Sequence, residues 1–228
     1  MKKTLLTFTL TTIVSLTACE AKPTTPAPEA NKNDIVSLFD GKTLNGWKAV
    51  NPALAKYWSV IDGVITCSSG DKKMPKNTYL TTTKEYQDFE FSCEFRLSGD
   101  QATGLINSGI QYRSIIKNKI IGYQADIGKG YWGDIYDEHR RGKLIKGNTK
   151  ELYKDFKHDD WHSYKIICKS DHHQLYINNL LVADFTENDK NIPSKGVIAL
   201  QLHSGGICKM EYKNIQIKEF KTAETKSE

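Results

Sequence analysis

Phe89-Glu-Phe-Ser-Cys-Glu-Phe-Arg-Leu97 alternates apolar and polar side chains without a break. Side chains two residues apart share a sheet face, so Phe89, Phe91, Cys93, Phe95 and Leu97 point one way and Glu90, Ser92, Glu94 and Arg96 the other. This period predicts a strand with one face in a core. Tyr164 to Cys168, Gln174 to Ile177, Leu180 to Phe185, Val197 to Leu202 and Tyr212 to Phe220 are further short runs, β-branched or aromatic and bounded by Gly, Asn, Asp or Pro. Asn178-Asn179 separates two of them and predicts a two-residue hairpin turn, because Asn tolerates the positive φ such a turn needs. No stretch holds a helical period beyond about two turns. Short strands at regular spacing predict an all-β fold, a two-sheet antiparallel β-sandwich or jelly roll.

The residues out of phase with the apolar set form a second pattern. They are Gln111 and Arg113 in the run Gly109 to Arg113, Gln124 and Asp126 in Gly122 to Ile127, and Gln201 and His203 in Val197 to His203. A solvated face is usually Lys, Glu and Thr. Here the side chains are planar amides, a guanidinium, a carboxylate and an imidazole, which suit sugar hydroxyls and carbonyls. The phase predicts Glu94, Gln111, Arg113, Gln124, Asp126, Gln201 and His203 on one concave surface. Phe91, Cys93, Phe95, Ile110, Tyr112, Ala125, Leu200 and Leu202 are then buried behind it. The alternative is an ordinary wet face of an antiparallel sheet.

The segment Tyr131-Trp-Gly-Asp-Ile-Tyr-Asp-Glu-His-Arg-Arg141 crowds aromatics, acids, a histidine and two arginines beside the turn Gly128-Lys-Gly130. It reads either as an exposed charged loop or as a sugar-binding loop contributing Trp132, Tyr136, Glu138 and Arg140.

The chain has 228 residues and a formal charge of +5, with lysines and acids interspersed. No basic run carries interleaved aromatics, so nucleic-acid binding gets no support. Lys2 and Lys3 precede an apolar run from Leu5 to Leu16 that is too short to span a bilayer. Leu16-Thr-Ala-Cys19 resembles the lipobox of bacterial lipoproteins. Residues 1–18 are then a signal peptide and Cys19 an acylated first residue, each buried methylene contributing about 0.8 kcal/mol of anchoring. With Glu20 next, the expected place is the outer membrane, facing the periplasm or the cell surface. Residues 19–33 read as the lipidated cysteine and a flexible tether, 34–220 as one domain, and 221–228 as a polar tail. Cys67, Cys93, Cys168 and Cys208 remain, as core thiols or as two disulfides in one of three pairings. The phase of Cys93 favours a buried thiol there.

Leu38-Phe-Asp-Gly-Lys-Thr-Leu-Asn-Gly-Trp47, Trp58-Ser-Val-Ile-Asp-Gly-Val-Ile65, Tyr86-Gln-Asp-Phe-Glu-Phe91, Asn107-Ser-Gly-Ile-Gln-Tyr-Arg113 and Gly122-Tyr-Gln-Ala-Asp-Ile127 occur in that order, followed by Trp161-His-Ser-Tyr164, Ala199-Leu-Gln-Leu-His203 and Asn214-Ile-Gln-Ile217. Together they resemble the 3-keto-disaccharide hydrolase domain family over about Ile35 to Phe220. The resemblance implies a concanavalin-A-like jelly roll and a 3-keto glycoside as substrate. It also favours the site reading of Tyr131 to Arg141. A C3 carbonyl acidifies the C2 proton; its removal lets the C1 oxygen leave, and water then adds to the enone. That chemistry needs a base, an acid and an oxyanion partner. Asp126, Glu138 and His203 are the acid–base candidates, Arg113 or Arg140 the oxyanion partner, and Gln111, Gln124 and Gln201 the hydroxyl ligands. No cofactor is called for, although a divalent cation could replace the arginine. A sugar 3-dehydrogenase is the implied pathway partner. Two departures from the family stand out. Asn178-Asn179 replaces a common Asn-Gly, and His203-Ser-Gly-Gly206 lengthens the loop beside His203. Two rival readings are a two-carboxylate glycosidase using Glu94 and Asp126 and a lectin-like carbohydrate-binding module without catalysis.

Overall fold

The computed structural model describes residues 34–220. The expected signal peptide, acylated Cys19, tether and polar tail lie outside the described residues. Two antiparallel sheets face each other. The first runs β13 (Leu180–Thr186), β12 (His172–Ile177), β11 (His162–Lys169), β6 (Phe89–Asp100), β15 (Ile207–Glu219), β4 (Val64–Ser68), β3 (Trp58–Ile61), with β1 (Ile35–Ser37) also on β15. The second runs β10 (Gly142–Ile145), β9 (Ile135–Glu138), β8 (Lys119–Gly128), β7 (Asn107–Lys117), β14 (Gly196–Leu202), β5 (Thr78–Tyr86), β2 (Trp47–Ala49). This is the expected two-sheet sandwich. Asn178 and Asn179 take φ of 49° and 63°, so the hairpin turn forms as their side chains allow.

The core lies between the sheets. Phe89, Phe91, Cys93, Phe95 and Leu97 of β6 meet Ile110 and Tyr112 of β7, Tyr123, Ala125 and Ile127 of β8, and Ile198, Leu200 and Leu202 of β14 in one cluster. Each large apolar side chain so buried contributes about 1.5–3 kcal/mol. Cys67, Cys93, Cys168 and Cys208 are all buried and free, which settles them as core thiols. Burial pushes every one of them up, Cys208 to about 11 and Cys168 to about 12. They are therefore poor nucleophiles.

Four expected site residues belong elsewhere. Glu94 lies on the outer face of the first sheet, where Asn214 Nδ2 donates to it at 2.5 Å and Lys213 lies at 3.2 Å. Alternation told which way Glu94 points along β6, but not that β6 sits in the opposite sheet from Asp126. The Glu94–Asp126 pair of the glycosidase reading is thereby removed. Trp132 is 2% exposed and stacks on Phe95 with centroids 6.1 Å apart, inside the core. Arg140 donates through Nε to both oxygens of buried Asp137 (2.9 and 2.8 Å) and lies over the Tyr123 ring.

Arg113 fails for a backbone reason. Tyr112 pairs with Tyr123 and Ile115 with Ile121, so Arg113 and Ser114 share the single partner Gly122 in a β-bulge. With φ at 44°, Arg113 turns into the space between the sheets. Its Nε donates to Gln87 O (2.8 Å), Nη1 to Ser170 O (2.8 Å) and His173 Nε2 (3.1 Å), and Nη2 to Asp88 Oδ1 (3.0 Å). A guanidinium only donates, so His173 Nε2 accepts and the ring is neutral. Burial, aided by the Arg113 charge, pushes His173 down to about 3. Arg113→Met would leave the Gln87 and Ser170 carbonyls without their donor and Asp88 with only the Ser170 N–H. It should lower unfolding stability by about 2–4 kcal/mol, read as a fall in the urea midpoint at pH 7. A midpoint equal to that of the parent would show the cluster to be dispensable.

Candidate functional site

The second sheet turns its other face outward, and in-register pairing lays that face out in rows. Asp126, Gly109, Gln201 and Tyr79 are successive partners across β8, β7, β14 and β5. The next row is Tyr136, Gln124, Gln111, Ala199 and Thr81. Glu138 follows, opposite Gly122. Gly109 has no side chain because Gln124 occupies its place: a Cβ there would stand 2.6 Å from Gln124 Cδ. Gln124 thus lies over Gly109, and its Nε2 donates to Asp126 Oδ1 at 2.6 Å. Behind it, Gln111 Nε2 donates to Gln124 Oε1 (2.6 Å), and Ser114 Oγ donates to Gln111 Oε1 (3.1 Å). Gln201 Nε2 donates to Tyr79 Oη at 3.1 Å, while its buried Oε1 has no partner among the described residues.

Over this floor opens a cavity of about 290 Å³ lined by Leu105, Asn107, Gln124, Asp126, Tyr131, Tyr136, Glu138 and His203. Glycines let two rim loops touch backbone to backbone. A Cβ on Gly104 would stand 2.3 Å from Gly205 O, and one on Gly206 2.4 Å from Leu105 O. Met74 N donates to Gly206 O and Gly205 N to Met74 O, both at 2.9 Å. The lengthened loop after His203 is thereby clamped, and His203 N donates to Asn107 O at 3.1 Å. His203 Nδ1 lies 2.8 Å from Ser204 O. A carbonyl only accepts, so in the neutral ring Nδ1 carries the proton and Nε2 keeps a free lone pair.

Asp126 is buried, and burial above all raises its carboxyl to about 8. The Gln124 hydrogen bond pulls against that rise, the neighbouring carboxylates of Asp134 and Glu138 add to it, and the Lys143 charge opposes it. Lys143 Nζ is itself held 2.6 Å from Asp134 Oδ2. Asp126 is therefore mainly a neutral acid at pH 7, with Oδ2 free of protein partners among the described residues. Glu138 sits 3.3 Å from His139 Nδ1.

Five expected residues meet at the cavity: Gln124, Asp126, Tyr136, Glu138 and His203. Gln111 and Gln201 form the dry floor beneath them rather than the lining. The segment Tyr131 to Arg141 is no loop throughout. It contains β9, whose alternation sends Tyr136 and Glu138 to the cavity and Ile135 and Asp137 to the interior. Asn107 was overlooked, although its phase with Gly109 and Gln111 was legible in the sequence. Leu105 and Tyr79 carried no such signal. Among the described residues, no group of three or more His, Cys, Asp or Glu is placed to hold a metal ion.

The 3-keto-disaccharide hydrolase model, described as a 3-keto-alpha-glucoside-1,2-lyase-like domain, matches residues 34–218. A capsule K1-specific depolymerase of Klebsiella phage K64-1 is 28% identical over 200 residues, covering 78% of this chain. The chain spans only 22% of that relative's length. In fold, it is similar to a glycosyl hydrolase candidate from Parabacteroides distasonis (TM-score 0.61, 20% identity, 83% of this chain and 95% of that one). It is also similar to the carbohydrate-binding module CBM66 of Bacillus subtilis (TM-score 0.58, 16% identity, 76% and 96%).

The raised Asp126 carboxyl predicts a stability signature. An aspartate in the unfolded chain titrates near 3.9, so the stability that the protonated form carries is whole below about pH 4 and is lost as pH rises toward 8. Asp126→Asn is neutral throughout. Its Tm should rise relative to the parent between pH 5 and pH 8, by the equivalent of up to about 1.4 kcal/mol per pH unit. A Tm difference that stays constant over that range would place Asp126 in a solvent-like setting.

Proposed function

The chain belongs to the 3-keto-alpha-glucoside-1,2-lyase-like domain family, and from that premise we propose that it cleaves 3-keto glycosides by proton abstraction at C2 and departure of the C1 oxygen. The carrying observation is a buried carboxyl, raised by that burial to about 8, in the same cavity as an imidazole whose Nε2 is left free. His203 Nε2 takes the C2 proton, and the C2–H electrons pass into the enolate of the C3 ketone. The enolate collapses with rupture of the C1–O bond, and Asp126 donates its proton to the departing oxygen. Asp126, now a carboxylate, then draws a proton from water as it adds at C1, and His203 returns a proton to C2. The net change is hydrolysis. Arg113 and Arg140 are held elsewhere, so the enolate oxygen falls to the neutral donors of the lining, the Asn107 amide and the Tyr131 and Tyr136 phenols. The substrate must first be oxidised at C3, so a sugar 3-dehydrogenase activity has to act upstream.

A panel of 3-keto disaccharides beside their unoxidised parents tests this reading. Only the keto sugars should react, and in heavy water the product should carry deuterium at C2. Asp126→Asn and His203→Ala should each lose about two to four orders of magnitude in kcat/KM. Cleavage of the parent sugar with no deuterium at C2 would return the protein to the glycosidases. Binding of keto sugars without turnover would make it a binding module.

The proposal also holds the domain at the cell envelope by acylation of Cys19, on the order of residues from Leu16 to Cys19. Metabolic labelling with a fatty-acid probe should mark the full chain and not Cys19→Ala. An unlabelled parent chain overturns the anchor.

A further inference from the structure

Beside the cavity, a larger hollow of about 420 Å³ opens on the same sheet face. Val50, Tyr79 and Ile120 in its lining belong to a small apolar cluster, completed beneath them by Ala199 and separate from the core between the sheets. Such a platform suits the apolar face of a pyranose ring. The two hollows adjoin through consecutive residues. Glu138 and His203 line the first, while His139 and Ser204 line the second. The Tyr79 phenol, pushed up to about 12 mainly by burial, also feels the charge of Glu138. A disaccharide lying across both would put its inter-ring bond over this boundary, beside His203.

The two hollows differ in charge. The first is lined by Glu138, by Asp126, which is mainly protonated at pH 7, and by His203, with no lysine or arginine. The second is lined by Lys76, Lys119 and His139, and no carboxylate. Among the described residues, neither Lys76 nor Lys119 is in an ion pair, so both ammonium groups at this hollow are open to an anion, unlike Lys143 beside the first cavity, which Asp134 holds. His139 Nδ1 faces Ile120 O at 2.8 Å, which leaves Nε2 for a ligand. We infer that the second hollow receives the leaving-group sugar and selects one bearing an anionic substituent, a carboxylate or a sulfate. This deepens the 3-keto glycoside reading and rests on it for the word leaving.

Two measurements on the folded protein test the inference. In turnover, 3-keto disaccharides with glucuronic acid, sulfated glucose or plain glucose as the leaving ring are compared. The anionic rings should give a kcat/KM about three- to tenfold above the neutral one, and high salt should shrink that ratio. In the Lys76→Met, Lys119→Met double variant the ratio should fall toward one, and comparing glucuronic acid with sulfate tells which anion is preferred. A parent ratio of one, or a ratio unchanged in the double variant, overturns the subsite. In binding, methyl β-glucuronide and methyl β-glucoside are titrated into labelled protein. Amide shifts at Asn77, Asn118 and Lys119 with the glucuronide alone support the subsite, and their absence overturns it. Selective binding without any keto-sugar turnover would sink the proposed activity while leaving the anionic sugar site standing.

Discussion

The central strands of the second sheet are dry on both sides, and a polar side chain that is shut away from water must find a partner. One side of β7, β8 and β14 meets the core. The other carries Gln111, Gln124, Asp126 and Gln201, none more than 4% exposed. Gln111 and Gln124 meet the constraint by bonding in series, from Ser114 to Asp126, while Gln201 meets it only through Nε2 on Tyr79, its Oε1 unpartnered among the described residues. Asp126, last in the series, meets it by keeping its proton. The burial that a carboxylate would resist thereby produces a carboxylic acid near neutral pH, and the same fact governs both stability and chemistry.

Alternation in the sequence revealed the strands, the core side chains and much of the cavity, because period two is fixed by backbone geometry. Asp126, Gln124 and His203 were all found from phase alone. Its failures have separate causes. Phase assigns a face to Glu94 but not a sheet, since sheet membership is set by pairings between distant segments. At Arg113 a bulge breaks the count, and nothing in Tyr112-Arg113-Ser114 announces it except the glycine facing it at Gly122. Trp132 and Arg140 were drawn in by the density of functional residue types around them, when both lie in the turns flanking β9, outside the alternation that sends Tyr136 and Glu138 to the cavity. Tyr79 went unread because it sits in a run of Thr and Leu that shows no clean alternation.

The comparison of His173 with His203 shows how one residue type divides its labour. Both Nε2 and Nδ1 of His173 face protein partners, Arg113 and Tyr112, in a buried pocket that forbids a charge. His203 gives one nitrogen to Ser204 O and leaves the other at a cavity wall. The arginines divide in the same way. Arg113 and Arg140, with Arg141 on Asp137 and Glu187, join loops and sheet edges, and none reaches the concave face. Lys143, paired with Asp134, is the cation whose charge reaches Asp126.

The fit of Gln124 into the space above Gly109 bears on how such a protein can diversify. A floor in which each side chain holds the next cannot be edited one residue at a time, since any substitution strands a neighbour. The rim is built otherwise. Leu105 and the loop after His203 are held by backbone contacts between glycines and by main-chain bonds to Met74, so side chains there can be exchanged without disturbing the clamp. New ligand preferences in descendants of this chain would therefore accumulate around the mouth of the cavity, at positions such as Leu105 and Tyr131, while the buried floor is inherited as one indivisible piece.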